Sequence, residues 1–289
     1  MNNQRVKCHW CGAPAKRVYK DFPSKKRDIY VCERCNIMFQ YPMPSEEEIR
    51  LMYSSEYFSS WGEDRELEKT KKRDFEEYVK LVENYVEVGE KTLLDLGAAQ
   101  GFLLEVAEQR GWMVTGVEMS KEVKPYNEEI RKKIIYGDFL NIDFSKNKFT
   151  AVTSISVFEH IREPIRFTEK VRNILKPGGI WLILVPNVGS FQRKVLGKKW
   201  PHFNNEHLFY YNRDFFRYMA EKYDFELVLE KIPLTNYTLF YLFNQIKKNS
   251  RSIFPSLANF LLKIVPSFLL NVNLRISGGN LLVVLRKRA

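Results

Sequence analysis

Apolar residues in this chain gather into short dense runs, and these alternate with stretches of helical period. Leu93, Leu94 and Leu96 form a run that suits a buried strand, with Asp95 inside it. Gly97, Ala99 and Gly101 follow at every second position, and then Phe102, Leu103, Val106 and Ala107 fall on one face of a helix. Met113 to Val117 predict a second strand, ending at Glu118. Ile134 to Tyr136 predict a third, closed by Gly137, Asp138 and Phe139. Phe149 to Ile155 predict a fourth, followed by Val157-Phe158-Glu159-His160-Ile161 and then Pro164. Lys176-Pro177-Gly178-Gly179 reads as a turn into a fifth strand, Ile180 to Val185. Phe225 to Leu229 and Leu281 to Leu285 predict the last two. Strands alternating with helices imply an α/β fold built on a doubly wound sheet.

Outside this alternation the helix signals are local. Ser45 and Glu48 have the spacing of a capping box. Asp64 to Val86 predict a long charged helix with Leu67, Phe75, Tyr78, Val79 and Val82 as its apolar side. Asn212 can cap a helix running to about Lys222. Some fifty residues separate the last two strands. We expect this insertion, at about 234–278, to hold amphipathic helices over Leu239 to Ile246 and Ile253 to Leu270. Residues 236–275 would then form a lid over the domain or a face resting on anionic lipid.

Charge sharpens the division. The net charge is +11, yet residues 45–230 hold 28 Lys/Arg against 32 Asp/Glu. Residues 1–44 hold nine Lys/Arg against three acids, and residues 231–289 hold nine and no acid at all. A near-neutral core with two basic ends fits partners that carry phosphate or anionic lipid. No uninterrupted apolar run reaches the ~20 residues that span a bilayer.

The four cysteines stand as Cys8-x-x-Cys11 and Cys32-x-x-Cys35, two knuckles twenty residues apart. This spacing fits a tetrahedral four-thiolate zinc site. The N-terminus MNNQRVK has no apolar signal core, so a reducing, cytoplasmic setting is expected, with the thiols available to metal. Four protein ligands leave no open position, so the zinc is expected to be structural. Some forty residues bury too little core to fold alone, and metal would supply the difference. The expected layout is a zinc-ribbon module at 1–44, a helical connector at 45–90, and the main domain at 91–289.

A strand, a small-residue turn and a helix bring backbone N–H groups close to a ligand. Glu118, about twenty residues on, is placed to accept from ribose hydroxyls. The run Gly-Ala-Ala-Gln-Gly has no glycine at the sixth place of the dinucleotide pattern. DLGAAQG, Glu118, GDF, FEHIREP and LKPGG…LVPN together resemble the class I S-adenosylmethionine-dependent methyltransferases, in the family's order over roughly residues 90–190. The resemblance implies a seven-stranded Rossmann-like sheet. It also implies a cofactor site at Asp95, Gly97, Ala99, Gly101, Phe102, Glu118, Met119, Asp138, Phe139 and Ser154. Ala99 departs from it, because glycine is the family's commonest residue there.

The N-terminal knuckles and FQYPMPSEEEIRLMYSSEYF after them resemble the module that precedes the methyltransferase domain in a subgroup including sugar C-methyltransferases. Trp200-Pro-His-Phe-Asn-Asn-Glu-His-Leu-Phe-Tyr-Tyr resembles the substrate-side stretch of those relatives. That likeness makes His207 the expected base and Glu206 a hydroxyl anchor, with His160 a second candidate at the edge of the fourth strand. Tyr53 and Tyr57 would reach over the site, and His9, inside a knuckle, would be a spectator. The expected acceptor is a small molecule: a sugar, a sugar nucleotide or a lipid-linked glycan. The competing expectation is an RNA methyltransferase whose zinc ribbon and basic ends grip phosphates. Against it, the fourth strand lacks the Asn/Asp-Pro-Pro-Tyr/Phe signature of many base-amino methylases.

Overall fold

A computed structural model describes residues 6–24, 26–52, 65–87, 89–123, 125–240, 262, 264–270 and 272–289. Seven strands form one sheet: β4 (Thr92–Leu96), β5 (Met113–Glu118), β6 (Ile134–Tyr136), β7 (Phe149–Ile155), β8 (Leu175–Pro186), β10 (Phe225–Lys231) and β13 (Asn280–Lys287). Their order is β10-β13-β8-β7-β4-β5-β6. The sheet is parallel from β6 to β8, and β13 runs antiparallel to both β8 and β10. This is the mixed, doubly wound sheet expected from the sequence.

Period-two side-chain alternation explains why the central strands are apolar throughout. Along β8, Trp181, Ile183 and Val185 enter one core, while Ile180, Leu182 and Leu184 enter the other. β13 divides in the same way: Leu281, Val283 and Leu285 lie on one side, Leu282 and Val284 on the other. A strand buried on both faces reads as a continuous apolar run. The Lys176–Gly179 stretch is not a separate turn. It lies within β8 as an irregularity, since Phe149 pairs with Leu175 but Ala151 pairs with Ile180.

The described helices are α1 (Glu46–Met52), α2 (Arg65–Glu83), α3 (Phe102–Gln109), α4 (Glu128–Arg131), α5 (Pro164–Ile174), α6 (Phe191–Leu196), α7 (Arg213–Lys222) and α8 (Ser267–Leu270). The capping box forms as read: Glu48 N donates to Ser45 Oγ at 3.1 Å, and Ser45 N to a Glu48 oxygen at 2.9 Å. Asn212 caps α7 by accepting from Phe215 N at 2.9 Å. α2 buries Tyr78, Val79 and Val82 beside α3.

Two features differ from expectation. The N-terminal strands β1 (Ala15–Tyr19), β2 (Asp28–Cys32) and β3 (Met38–Tyr41) make a sheet whose fourth strand, β9 (Phe209–Tyr210), comes from the main domain. Trp10 packs edge-on against Phe158, Tyr211, Phe215 and Tyr223. The knuckles and the main sheet therefore share one core. The insertion opens and closes as a two-stranded ribbon, β11 (Leu234–Thr238) with β12 (Asn273–Ser277), where helices alone were expected. The ribbon satisfies its backbone groups by pairing segments 35 residues apart in register, Thr238 to Asn273. Most of the expected helices, over 241–261, lies outside the described residues, as do Tyr53 and Tyr57.

Candidate functional site

The turn after β4 is held to the end of β5 by its own backbone. Gly97 N and Ala98 N both donate to Val117 O, at 2.8 and 3.0 Å. Glu118 then closes the unit: Oε2 accepts from Ala99 N at 2.9 Å and Oε1 from Ser120 N at 3.0 Å. Each oxygen keeps a further lone pair, so the carboxylate can also accept from a diol. Burial raises the Glu118 pKa, opposed by these backbone N–H groups. Gly97 sits at φ 77°, and a Cβ there would lie 2.3 Å from Val157 Cγ2. Ala99 adopts φ 46°, the left-handed region where glycine carries no steric cost. Asp95 is buried and accepts from Thr153 Oγ1 at 2.6 Å; burial pushes its carboxyl up to about 7.

These residues border a cavity of about 1520 Å³. Asp95, Gly97, Ala99, Phe102, Glu118, Met119, Asp138 and Phe139 all line it. Asp138 also caps the turn behind it, accepting from Leu140 N at 2.9 Å. The Phe139 ring is buried against Phe167, 5.0 Å between centroids. Gly101 shapes the turn from behind, where an added Cβ would meet Ile130 at 2.4 Å.

Gly101 and Ser154, both expected at the cofactor, do not line the cavity. Ser154 is fully buried, and its hydroxyl accepts from Trp181 Nε1 at 2.9 Å. Strand alternation points it into the core, and the cavity is reached instead by Ile155, Ser156 and Val157. The far wall was not foreseen. Thr70, Lys71, Asp74, Phe75 and Tyr78 from α2, and Thr235 to Thr238 from β11, complete the cavity. Asn236 donates to Asp74 through both N and Nδ2, so the insertion is fastened to α2 across the opening.

The histidines also depart from expectation. His207 was expected to face the transferred methyl. It is 7% exposed and does not line the cavity. Its Nδ1 donates to His202 O at 2.8 Å, its Nε2 lies 4.0 Å from Glu159 Oε1, and burial holds its pKa well below 6.5. Glu206 does not line the cavity either; its carbonyl accepts from His160 Nδ1 at 2.9 Å. His160 is the histidine on the cavity wall. The rings of His160 and His207 stand edge to face, 4.7 Å apart. Gln40 fixes this loop from the N-terminal module, its Nε2 donating to the carbonyls of Asn204, Asn205 and His207. No sequence pattern announces Gln40, because its partners lie more than 160 residues away.

The four cysteine sulfurs converge. Cys8 and Cys35 are 3.7 Å apart, Cys11 and Cys32 3.4 Å, Cys11 and Cys35 3.9 Å. A tetrahedral ion with bonds of about 2.3 Å separates its sulfurs by about 3.8 Å. Backbone N–H groups of Trp10, Arg34 and Cys35 point at the sulfurs, each at 3.4 Å. The hydrogen bond with the Cys35 thiol lowers the Cys8 pKa to about 5, while burial raises Cys11 to about 11. His9 packs edge-on against Phe39 and Phe209.

A family model described as a methyltransferase domain matches residues 70–230. The chain belongs to the methyltransferase domain family. Curated relatives of this methyltransferase domain include ubiquinone biosynthesis O-methyltransferases. The one from Coxiella burnetii (strain Dugway 5J108-111) is 29% identical over 107 residues, 35% of this chain and 46% of the relative. That from Actinobacillus pleuropneumoniae serotype 5b is 30% identical over 101 residues, 31% of this chain and 43% of the relative. The chain spans about half the length of the curated relatives it matches. Among solved structures, the magnesium protoporphyrin IX methyltransferase of Synechocystis PCC 6803 with bound SAH shares the fold. Its TM-score is 0.53 at 12% identity, covering 84% of this chain and 100% of that one. The YcgJ protein of Bacillus subtilis gives 0.50 at 14% identity, covering 75% and 99%. No helix among the described residues is long and apolar enough to cross a membrane.

Proposed function

We infer that the chain is an S-adenosylmethionine-dependent methyltransferase acting on a small, hydroxyl-rich acceptor of sugar type: a free sugar, a sugar nucleotide or a lipid-linked glycan. The observation that carries the cofactor is the Glu118 carboxylate, clamped by Ala99 N and Ser120 N at the cavity edge. It is pre-organised to accept from a ribose diol, beside a turn whose glycine admits close backbone approach. Asp95, Gly97, Ala99, Gly101, Phe102, Met119, Asp138 and Phe139 complete that end of the site.

The acceptor end is supported by size and lining. A cavity of about 1520 Å³ exceeds the roughly 300–1,000 Å³ of a single small-molecule pocket, so cofactor and acceptor fit together. Its far wall of Asp74, Thr235 and Asn236 offers the donors and acceptors that hydroxyls need. The curated relatives named O-methyltransferases add support for a small acceptor.

Bound S-adenosylmethionine supplies an activated methyl on its sulfonium. The chain's part is to align the acceptor and take up its proton. Gly97 and Glu118 fix one reactant, and α2 with β11 encloses the other and excludes water. Deprotonation falls to the side of the cavity walled by His160, with Glu159 and His207 behind it. The Cys8, Cys11, Cys32 and Cys35 sulfurs suit a structural zinc, which would lock the sheet that carries Gln40 and, through it, the His207 loop.

The test is methyl transfer from labelled cofactor to sugar nucleotides, lipid-linked glycans and RNA fragments in parallel. Label in a sugar-bearing acceptor supports the reading. Label in RNA alone would replace it with the nucleic-acid alternative.

A further inference from the structure

Behind the cavity wall Glu159, His160 and His207 face one another. Glu159 is 1% exposed, and neither of its carboxylate oxygens has a hydrogen-bond partner. His160 Nε2 lies 3.9 Å and His207 Nε2 4.0 Å from the same oxygen, Oε1. Both separations are too long for a hydrogen bond. The tautomers are fixed from outside, because each Nδ1 faces a backbone carbonyl, Glu206 O for His160 and His202 O for His207. A carbonyl only accepts, so each Nδ1 carries the proton and each Nε2 presents a lone pair toward Glu159.

A buried carboxyl group with neither oxygen hydrogen-bonded, facing the Nε2 lone pair of His207, is an unfavourable arrangement unless it takes up a proton or a cation. We propose that Glu159, His160 and His207 form a binding site for one divalent transition-metal ion, distinct from the four-cysteine cluster. The three ligand atoms lie within 4.8 Å of one another, so small rotations bring them to bonds of about 2.0–2.2 Å around a shared ion. Imidazoles that ligate through Nε2 and donate Nδ1–H to a carbonyl are the usual outer-shell pattern of metal-binding histidines. Two nitrogens and one carboxylate select zinc, iron, cobalt, nickel or manganese over magnesium, which prefers oxygen.

Three protein ligands leave a coordination position open, as in catalytic and not structural sites. His160 borders the cavity, so a water or acceptor hydroxyl bound to the ion would be polarised on the side where the acceptor sits. That role rests on the methyltransferase reading, whereas ion binding itself does not.

The test is cobalt titration of the full chain, purified with its cysteines loaded with zinc, followed by calorimetry and visible absorption. The expected result is about one Co²⁺ per chain with weak visible bands and no thiolate-to-cobalt charge transfer. Glu159→Gln, which keeps shape but loses the anionic ligand, should weaken this binding by more than about 100-fold, beyond what an outer-shell partner costs. His207→Asn should do the same. Absence of non-thiolate cobalt binding in the wild-type chain would overturn the site, as would unchanged affinity in both variants. S-adenosylhomocysteine affinity is measured on the same samples. A chain that binds the nucleoside but no second ion loses only this inference. A chain that binds the ion but no nucleoside keeps the site and loses the methyltransferase reading.

Discussion

The side-chain amide of Gln40 donates to the carbonyl of His207 at 2.9 Å, and so joins the cysteine-bearing sheet to the loop behind the reaction cavity. Gln40 is fully buried, and the same nitrogen also donates to the carbonyls of Asn204 and Asn205. Its replacement takes this donor from the carbonyl of buried His207, at a cost of about 1–3 kcal/mol. Gln40→Leu is therefore expected to lower thermal stability by that order and to reduce turnover more than cofactor affinity. A melt and a calorimetric titration of the variant check both parts. Equal loss of turnover and cofactor affinity would mean that the amide supports the whole domain and not this loop.

The metal prediction follows from the same sheet. Elemental analysis should find zinc at the cysteine cluster, and Cys32→Ser should lower the melting temperature. Because Cys8, Cys32 and Cys35 are buried in the core that also holds Trp181, chelation should destabilise the main domain as well as the knuckles. A metal-free chain with an unchanged melt would refute the structural zinc.

Gly97 gives a prediction with an internal control. Alanine there takes a left-handed backbone at a cost of roughly 1–2 kcal/mol and drives a Cβ into Val157. Gly97→Ala should destabilise the chain and weaken cofactor binding. Adding Val157→Ala should relieve the clash and leave the backbone cost. Additive effects in the double-mutant cycle would show that the two residues do not meet.

Asp95 titrates with a definite sign. Its folded pKa, about 7, lies above the ordinary carboxyl value because the group is buried. The folded state therefore holds a proton that the unfolded state releases at about pH 4, so stability falls as pH rises from there toward 7. Asp95→Asn removes this dependence. Relative to the wild type, the variant without cofactor should gain stability between about pH 4 and pH 8, by a few kcal/mol at most. Melting temperatures across that range decide it. Parallel curves would place the titration elsewhere.

The sequence exposes what is local. Asn212 and Phe215 are three residues apart, as are Ser45 and Glu48, and their caps form as read. Glu118 follows the glycine turn by one strand and one helix, so its place is set by the βαβ unit itself. Long-range pairings are different. β3 finds β9 across some 170 residues, and Thr238 finds Asn273 across a segment whose apolar residues read as helix. His207 shows the same limit within a single site. Its neighbours Glu206 and Leu208 resemble a substrate-side stretch, but packing against His202 and Gln40 turns its ring away from the cavity. Ser154 fails through strand parity, one residue from positions that do line the cavity.

The account stands on Glu118 as the cofactor's ribose acceptor, and calorimetric binding of S-adenosylhomocysteine to wild type and Glu118→Ala tests it most directly. The wild-type chain should bind, and the variant should lose about 1.5–3 kcal/mol, the worth of hydrogen bonds to a charged group, while remaining folded. Equal affinity in the two chains, or no binding to the wild type, would contradict it.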